Sequence, residues 1–218
     1  TMFQAIAAEH AERIGVGGAA MARRGAFWLT LHSRVDFFRW PALAQEVTAA
    51  TWPEHCEGRS LRCFRSYSLR QGDQLLALGR TQWAVLGEKG RLIPFAQSGF
   101  PEDFPFVERE GITEAPARFR DDLLPEELVQ RHTVRSTDID MGRHMNNVAY
   151  VRLLLDCFPA SVLADGKIAS MEVHYAAPCL EGEELSVLCR REGGICRMAV
   201  RKPDGKTAIL AAVRFHEK

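Results

Sequence analysis

The sequence predicts an α+β chain built twice on one plan, a helix followed by a run of antiparallel strands. Two observations carry this. Apolar residues recur at helical spacing in two places, 2–14 and 146–163. Behind each come four segments rich in aliphatic, aromatic and β-branched residues, parted by turns built on glycine, proline or aspartate. The two copies stand roughly 140 residues apart, although the residues themselves barely repeat.

In the first copy, Phe3, Ile6, Ala7, Ala11 and Ile14 form one helical face and Glu9, Glu12 and Arg13 the other. Gly15, Gly17 and Gly18 are expected to stop the helix. Strands follow at 27–37, 46–52, 61–69 and 75–86, with Pro53 ending the second and Gln71-Gly72-Asp73 turning the chain into the fourth. From residue 94 to 130 the periodicity dissolves among Pro94, Pro101, Pro105, Pro116 and Pro125. This reads as a surface linker with a short helical turn at Pro125-Glu126-Glu127-Leu128. The expected domains are therefore 1–96 and 131–218, joined by a linker at 97–130.

The second copy opens with a strand at 131–136 and a loop at 137–144. Its helix sets Val148, Val151, Leu154, Leu155 and Phe158 on the core face, and Pro159 ends or kinks it. Four strands are expected at 167–175, 184–191, 196–202 and 207–216. Two like domains suggest an internal pseudo-dimer, which could pair again as a homodimer. The first copy lacks the strand that precedes the helix in the second, and the repeat would place it ahead of Thr1.

Lysine plus arginine (28) balances aspartate plus glutamate (28), which argues against a nucleic-acid binder with its basic excess. No run of 18 apolar residues and no basic-then-apolar leader is present, so neither a membrane span nor a signal peptide is expected, and the cytoplasm is the expected compartment. The six cysteines form no C-x-x-C pair, which makes reduced, packed thiols the expectation and gives no reason to invoke a metal or a cofactor. Trp28, Trp40, Trp52 and Trp83 all fall in the first copy and read as core, with some available to line an apolar pocket.

Chemistry concentrates in Ser136-Thr137-Asp138-Ile139-Asp140-Met141-Gly142-Arg143-His144-Met145-Asn146-Asn147-Val148-Ala149-Tyr150, between a strand and a helix. Asn146 or its neighbour can cap that helix, whose amino end can stabilise an oxyanion. Asp138 reads as a residue bonding the loop backbone. The stretch Asp138 to Val151 resembles the signature of acyl-ACP thioesterases, in which an aspartate, an asparagine and a histidine stand two apart before N-N-V-x-Y. The first half agrees: Arg34-Val35-Asp36-Phe37 to Pro41, then Glu46 to Trp52-Pro53, is similar to the family's strand, loop and strand ending in T-W-P. Glu9-His10-Ala11-Glu12-Arg13-Ile14-Gly15 is similar to the end of its first helix.

The resemblance implies a tandem (double) hotdog fold, each half a long helix wrapped by an antiparallel sheet. It also implies that the first domain shapes an acyl pocket and the second carries the catalytic residues. Asp140 would be the general base or nucleophile and His144 its assistant, in hydrolysis of a fatty acyl thioester on acyl carrier protein or coenzyme A. Asn146, Asn147 and Arg143 are the residues expected to meet substrate. Two departures stand out: Gly142 replaces the family's asparagine, and Pro178 stands where its glutamate belongs. They suggest a slowed enzyme, or alternatively a non-hydrolytic acyl-thioester-binding hotdog protein. A hotdog dehydratase is a third reading, disfavoured by the tandem layout. Cys179 is a further nucleophile candidate, disfavoured because nothing beside it lowers a thiol pKa. Arg23, Arg24 and Arg143 are the cations available to an acidic carrier protein.

Overall fold

The computed structural model describes residues 1–216; Glu217 and Lys218, the end of the expected second domain, lie outside the described residues. The chain divides into two units, one ending at Ala115 and the other starting at Pro116. The expected linker is therefore not a body of its own: 97–115 belong with the first unit and 116–130 with the second.

The first unit begins with α1 (Met2–Arg13), which ends as expected at Gly15, where the left-handed backbone (φ 75°) is open to glycine at no steric cost. The other glycines do not simply stop it. Gly18 starts a second short helix, α2 (Gly18–Arg23), absent from the sequence reading. The strands are β1 (Phe27–Phe37), β2 (Thr48–Pro53), β3 (Cys63–Gln71), β4 (Gln74–Leu86) and β5 (Leu92–Ile93). They pair antiparallel in the order β2-β3-β4-β1, with the short β5 beside β4. Pro53 closes β2 from inside the strand, opposite Arg65.

Gly79 of β4 explains how α1 comes to lie on this sheet. Phe3 stacks on Tyr67 at 5.0 Å, and a Cβ at Gly79 would stand 2.9 Å from the Phe3 ring. A second small core gathers Val16, Met21, Ala26 and Val85 under Trp28, whose indole N–H donates to the Val16 carbonyl at 2.8 Å. Trp28 meets Trp83 edge to face and Trp52 is buried, so these indoles build core as expected; Trp40 stacks on Phe37 at 4.6 Å.

The proline-rich stretch after β5 is ordered by its phenylalanines. Phe100 packs against Phe95, Phe104 and Phe106 with centroids 5.0–5.9 Å apart, and His10 and His55 add edges to Phe104 and Phe106. Further along, Arg80 forks onto Glu54, lies over the Phe64 ring and donates to the carbonyls of Thr113 and Glu114. Aromatic burial and guanidinium bonds thus fix a segment that shows no periodicity.

The second unit contains a 3₁₀ turn at Pro125–Glu127, as expected, then β6 (Leu128–Thr133), α3 (Asn147–Leu155), α4 (Ala160–Ala164), β7 (Ile168–Tyr175), β8 (Glu184–Glu192), β9 (Ile195–Arg201) and β10 (Thr207–Phe215). The order is β7-β10-β9-β8-β6, all antiparallel. The long helix expected to Leu163 stops at Leu155. Pro159, lacking an N–H and pressing Phe158 away from helical backbone, opens α4 instead of kinking one helix.

Residues 116–127 form a strap over one face of this sheet. Leu123 and Phe119 pack on Leu188, Ala199 and Leu210, which lie side by side on neighbouring strands. Three arginines fasten it: Arg190 to Glu127, Arg197 to Asp122 and Arg201 to Asp121. Residues 208–213 are buried without a break, because the strap removes water from a face that an open sheet would leave wet.

One cysteine expectation fails. Cys189 and Cys196 are joined in a disulfide, with Cα atoms 6.5 Å apart. The β8–β9 register sets Cys189 opposite Met198 and Cys196 opposite Arg191, which brings the two sulfurs diagonally together on one face of the hairpin. The other four cysteines are free. Among the described residues, no helix is long and apolar enough to cross a membrane.

Candidate active site

The loop from Arg135 to Asn146 is held at both ends before any reactive group is considered. At its start Asp138 accepts from the Arg135 amide and from His132 Nε2, each at 2.9 Å. The Asp138 carbonyl accepts from the Asn146 amide at 2.8 Å, which brings the end of the loop beside its start, where Ile139 bridges Met145. Asp138 thus bonds the loop, as its sequence position suggests, and His132 is a partner the sequence gave no reason to single out.

The far end rests on the segment after β7. The Met145 amide donates to the Cys179 carbonyl at 2.8 Å, and the Cys179 amide donates to the Tyr150 hydroxyl at 3.0 Å. Tyr150 is buried, and burial pushes its phenol well above the usual range, so it stays neutral. Asn146 is the cap of α3: its Oδ1 accepts from the Val148 amide at 2.8 Å. The side chain expected to meet substrate is therefore committed to the helix, while Asn147 opens the first turn, half-buried. Tyr150, four residues after the cap, sits one turn above it on the same helix face, which is the only sequence hint of its role.

Between these anchors the chain makes a tight turn. The Asp140 amide donates to the His144 carbonyl, and the Arg143 amide to the Asp140 carbonyl, at 3.1 and 3.0 Å. The turn brings Asp140 and His144 together, with Oδ1 and Nδ1 3.8 Å apart: within ion-pair reach but beyond a hydrogen bond. Asp140 Oδ1 accepts from the Gly142 amide at 2.8 Å, and Oδ2 carries no hydrogen bond among the described residues. Both side chains are partly open to water, the histidine 47% and the aspartate 32% exposed. Arg143 is exposed and takes the left-handed backbone (φ 61°), which is unusual for a residue with a Cβ.

Cys179 lies in the same neighbourhood but is fully buried, and burial raises its thiol above the ordinary value. That is the opposite of what a thiolate nucleophile needs. The Pro178 carbonyl accepts from Lys202 Nζ at 2.7 Å, and Lys202 pairs with Glu183. Arg24 is occupied in the first unit, donating to the carbonyls of Gly15 and Ser98. Chemically, the loop offers a carboxylate with one oxygen positioned and one open, and an imidazole beside it. Both sit just ahead of a helix amino end.

Known proteins bear on this arrangement. A family model described as the acyl-ACP thioesterase N-terminal domain matches residues 1–100, and one described as the C-terminal domain matches 123–217. The chain is 22% identical over 208 residues to the chloroplastic oleoyl-acyl carrier protein thioesterase of Coriandrum sativum, covering 88% of this chain and 56% of that protein. It thus spans little more than half the length of that curated relative. Its fold is similar to the acyl-ACP thioesterase of Bacteroides thetaiotaomicron, with a TM-score of 0.86 at 21% identity, covering 99% of this chain and 87% of that one. It is also similar to the 12:0-ACP thioesterase of Umbellularia californica, with a TM-score of 0.80 at 18% identity, covering 100% and 88%. The fold is the expected α+β tandem hotdog. With both family models matched across nearly all of its length, the chain belongs to the acyl-ACP thioesterase family.

Proposed function

We propose that this chain hydrolyses a fatty acyl thioester carried on acyl carrier protein, with Asp140 as general base and His144 as its partner. The observation that supports this most directly is the meeting of Asp140 and His144 in the loop that leads into α3. Asp140 Oδ2 is the oxygen available to take a proton from water. The water oxygen then bonds the thioester carbon, and the carbonyl oxygen takes up negative charge near the amino end of α3. When the carbon–sulfur bond breaks, a proton relayed through His144 goes to the departing thiolate. The products are a free fatty acid and the carrier's thiol. Arg143, exposed beside the site, is a candidate contact for the carrier's phosphate.

A second reading, an acyl-thioester-binding protein that does not hydrolyse, draws on Gly142 and Pro178, which leave His144 without the family's asparagine and glutamate as neighbours. Thiol release from acyl-ACP and acyl-CoA of graded chain length separates the two. Release that Asp140→Asn abolishes supports hydrolysis. Binding of acyl-ACP without release from the unaltered chain would establish the second reading instead.

A further inference from the structure

Gly142 is a glycine whose backbone does not require one. Its φ is not among the positive values of this chain, whereas its neighbour Arg143 does take a positive φ. What the position lacks is space. A Cβ there would stand 2.9 Å from His144 Nε2, 3.0 Å from Asp140 Oδ1 and 3.2 Å from His144 Cε1. Contacts below 3.0 Å force a neighbour to move, and 3.2 Å is still tighter than ordinary packing. The neighbours here are the tips of the two groups the proposed reaction uses. The Gly142 amide meanwhile donates to Asp140 Oδ1 at 2.8 Å, a bond that any residue but proline could make from this position.

We propose that Gly142 is a positioning residue: its missing side chain lets the His144 ring lie against the turn and approach Asp140. This inference rests on the reading of Asp140 and His144 as the reacting pair. It has a consequence opposite to what the family pattern suggests. Returning the family's asparagine to position 142 does not restore a partner; it pushes the His144 ring off the turn and away from Asp140. The aspartate is held by a backbone amide and keeps its place, so the imidazole is the group that moves.

The test is Gly142→Asn and Gly142→Ala in the full chain, alone and combined with His144→Ala, measured by thiol release from acyl-ACP. Each single variant should lose about tenfold or more in kcat, with KM and melting temperature little changed. In the His144→Ala background the same substitutions should cost nothing further, because the displaced group is already gone. A Gly142→Asn variant as fast as the unaltered chain or faster overturns the proposal, as does an equal loss with and without His144. If the unaltered chain releases no thiol from any acyl thioester, the hydrolytic reading fails by itself. The positioning claim is then decided by the crystal structure of Gly142→Ala: a His144 ring displaced from Asp140 upholds it, and an unmoved ring overturns it.

Discussion

The Cys179 amide donates to the Tyr150 hydroxyl at 3.0 Å, and through this one bond the first turns of α3 are tied to the segment that follows β7. The Cys179 carbonyl takes the Met145 amide from the other side, so a single buried residue joins helix, loop and the segment that follows β7. Tyr150→Phe would leave that amide buried without an acceptor, at a cost of about 1–3 kcal/mol. Urea unfolding should show the loss as a lower midpoint at unchanged slope. Thiol release should fall with it, because the loop bearing Asp140 and His144 is anchored there.

Arg143 adopts left-handed backbone with a full side chain, a conformation disfavoured by roughly 1–2 kcal/mol for a residue with a Cβ. Arg143→Gly should therefore raise stability, by up to about 1 kcal/mol in thermal or urea unfolding. If Arg143 also meets the carrier's phosphate, the same variant should show a higher KM for acyl-ACP and for acyl-CoA alike, because both carry a phosphate on the pantetheine arm.

The strap predicts a response to acid. A hydrogen bond from Arg201, aided by one from Thr207, holds the Asp121 carboxyl below its ordinary value of 3.8. Glu127 is lowered likewise, chiefly by Arg190. A carboxylate held low in the folded chain contributes its full stability above the unfolded value, and the contribution disappears as pH falls through the lower folded value. Unfolding free energy measured from about pH 5 down to about pH 2.5 should fall steeply, and Asp121→Asn should flatten that fall while lowering stability at neutral pH.

The Cys189–Cys196 bridge closes a short hairpin loop, and loop closure of this size is worth about 2 kcal/mol. Adding a reductant should lower the melting temperature of the unaltered chain, and Cys189→Ser should start from that lower value and ignore the reductant. Intact-mass measurement with and without thiol alkylation gives an independent check on the pairing.

What could be read from the sequence follows from where periodicity governs structure. Strand positions 27–37 and 184–191 were legible to within a residue because aliphatic and aromatic side chains dominate them. The split of the second helix was half legible: Pro159 marks the break, but the helix ends at Leu155, before the proline itself. Residues 95–124 were not legible, because their order comes from contacts distant in sequence, Phe100 with its neighbours and Arg201 with Asp121 eighty residues away. In the site, the resemblance to the family's signature already pointed to Asp140 and His144 as a pair. Their dependence on the bareness of Gly142 could not be anticipated, since in sequence it reads as a lost asparagine. The disulfide was missed although the turn at Gly193-Gly194 was legible, because the two sulfurs meet only through the register that β8 and β9 adopt.

The strap of residues 116–127 also decides where this protein can be cut. A fragment starting at Arg131 looks natural from the strand pattern, yet it would strip Leu123 and Phe119 from the sheet and leave Leu188, Ala199 and Leu210 facing water as a continuous apolar stripe. Such a piece would be a sticky half-product, prone to self-association during expression. A fragment starting at Pro116 carries its own cover and the carboxylates that Arg190, Arg197 and Arg201 need. For anyone building chimaeras from this chain, the seam belongs between Ala115 and Pro116, twelve residues ahead of β6, the first strand it is meant to deliver.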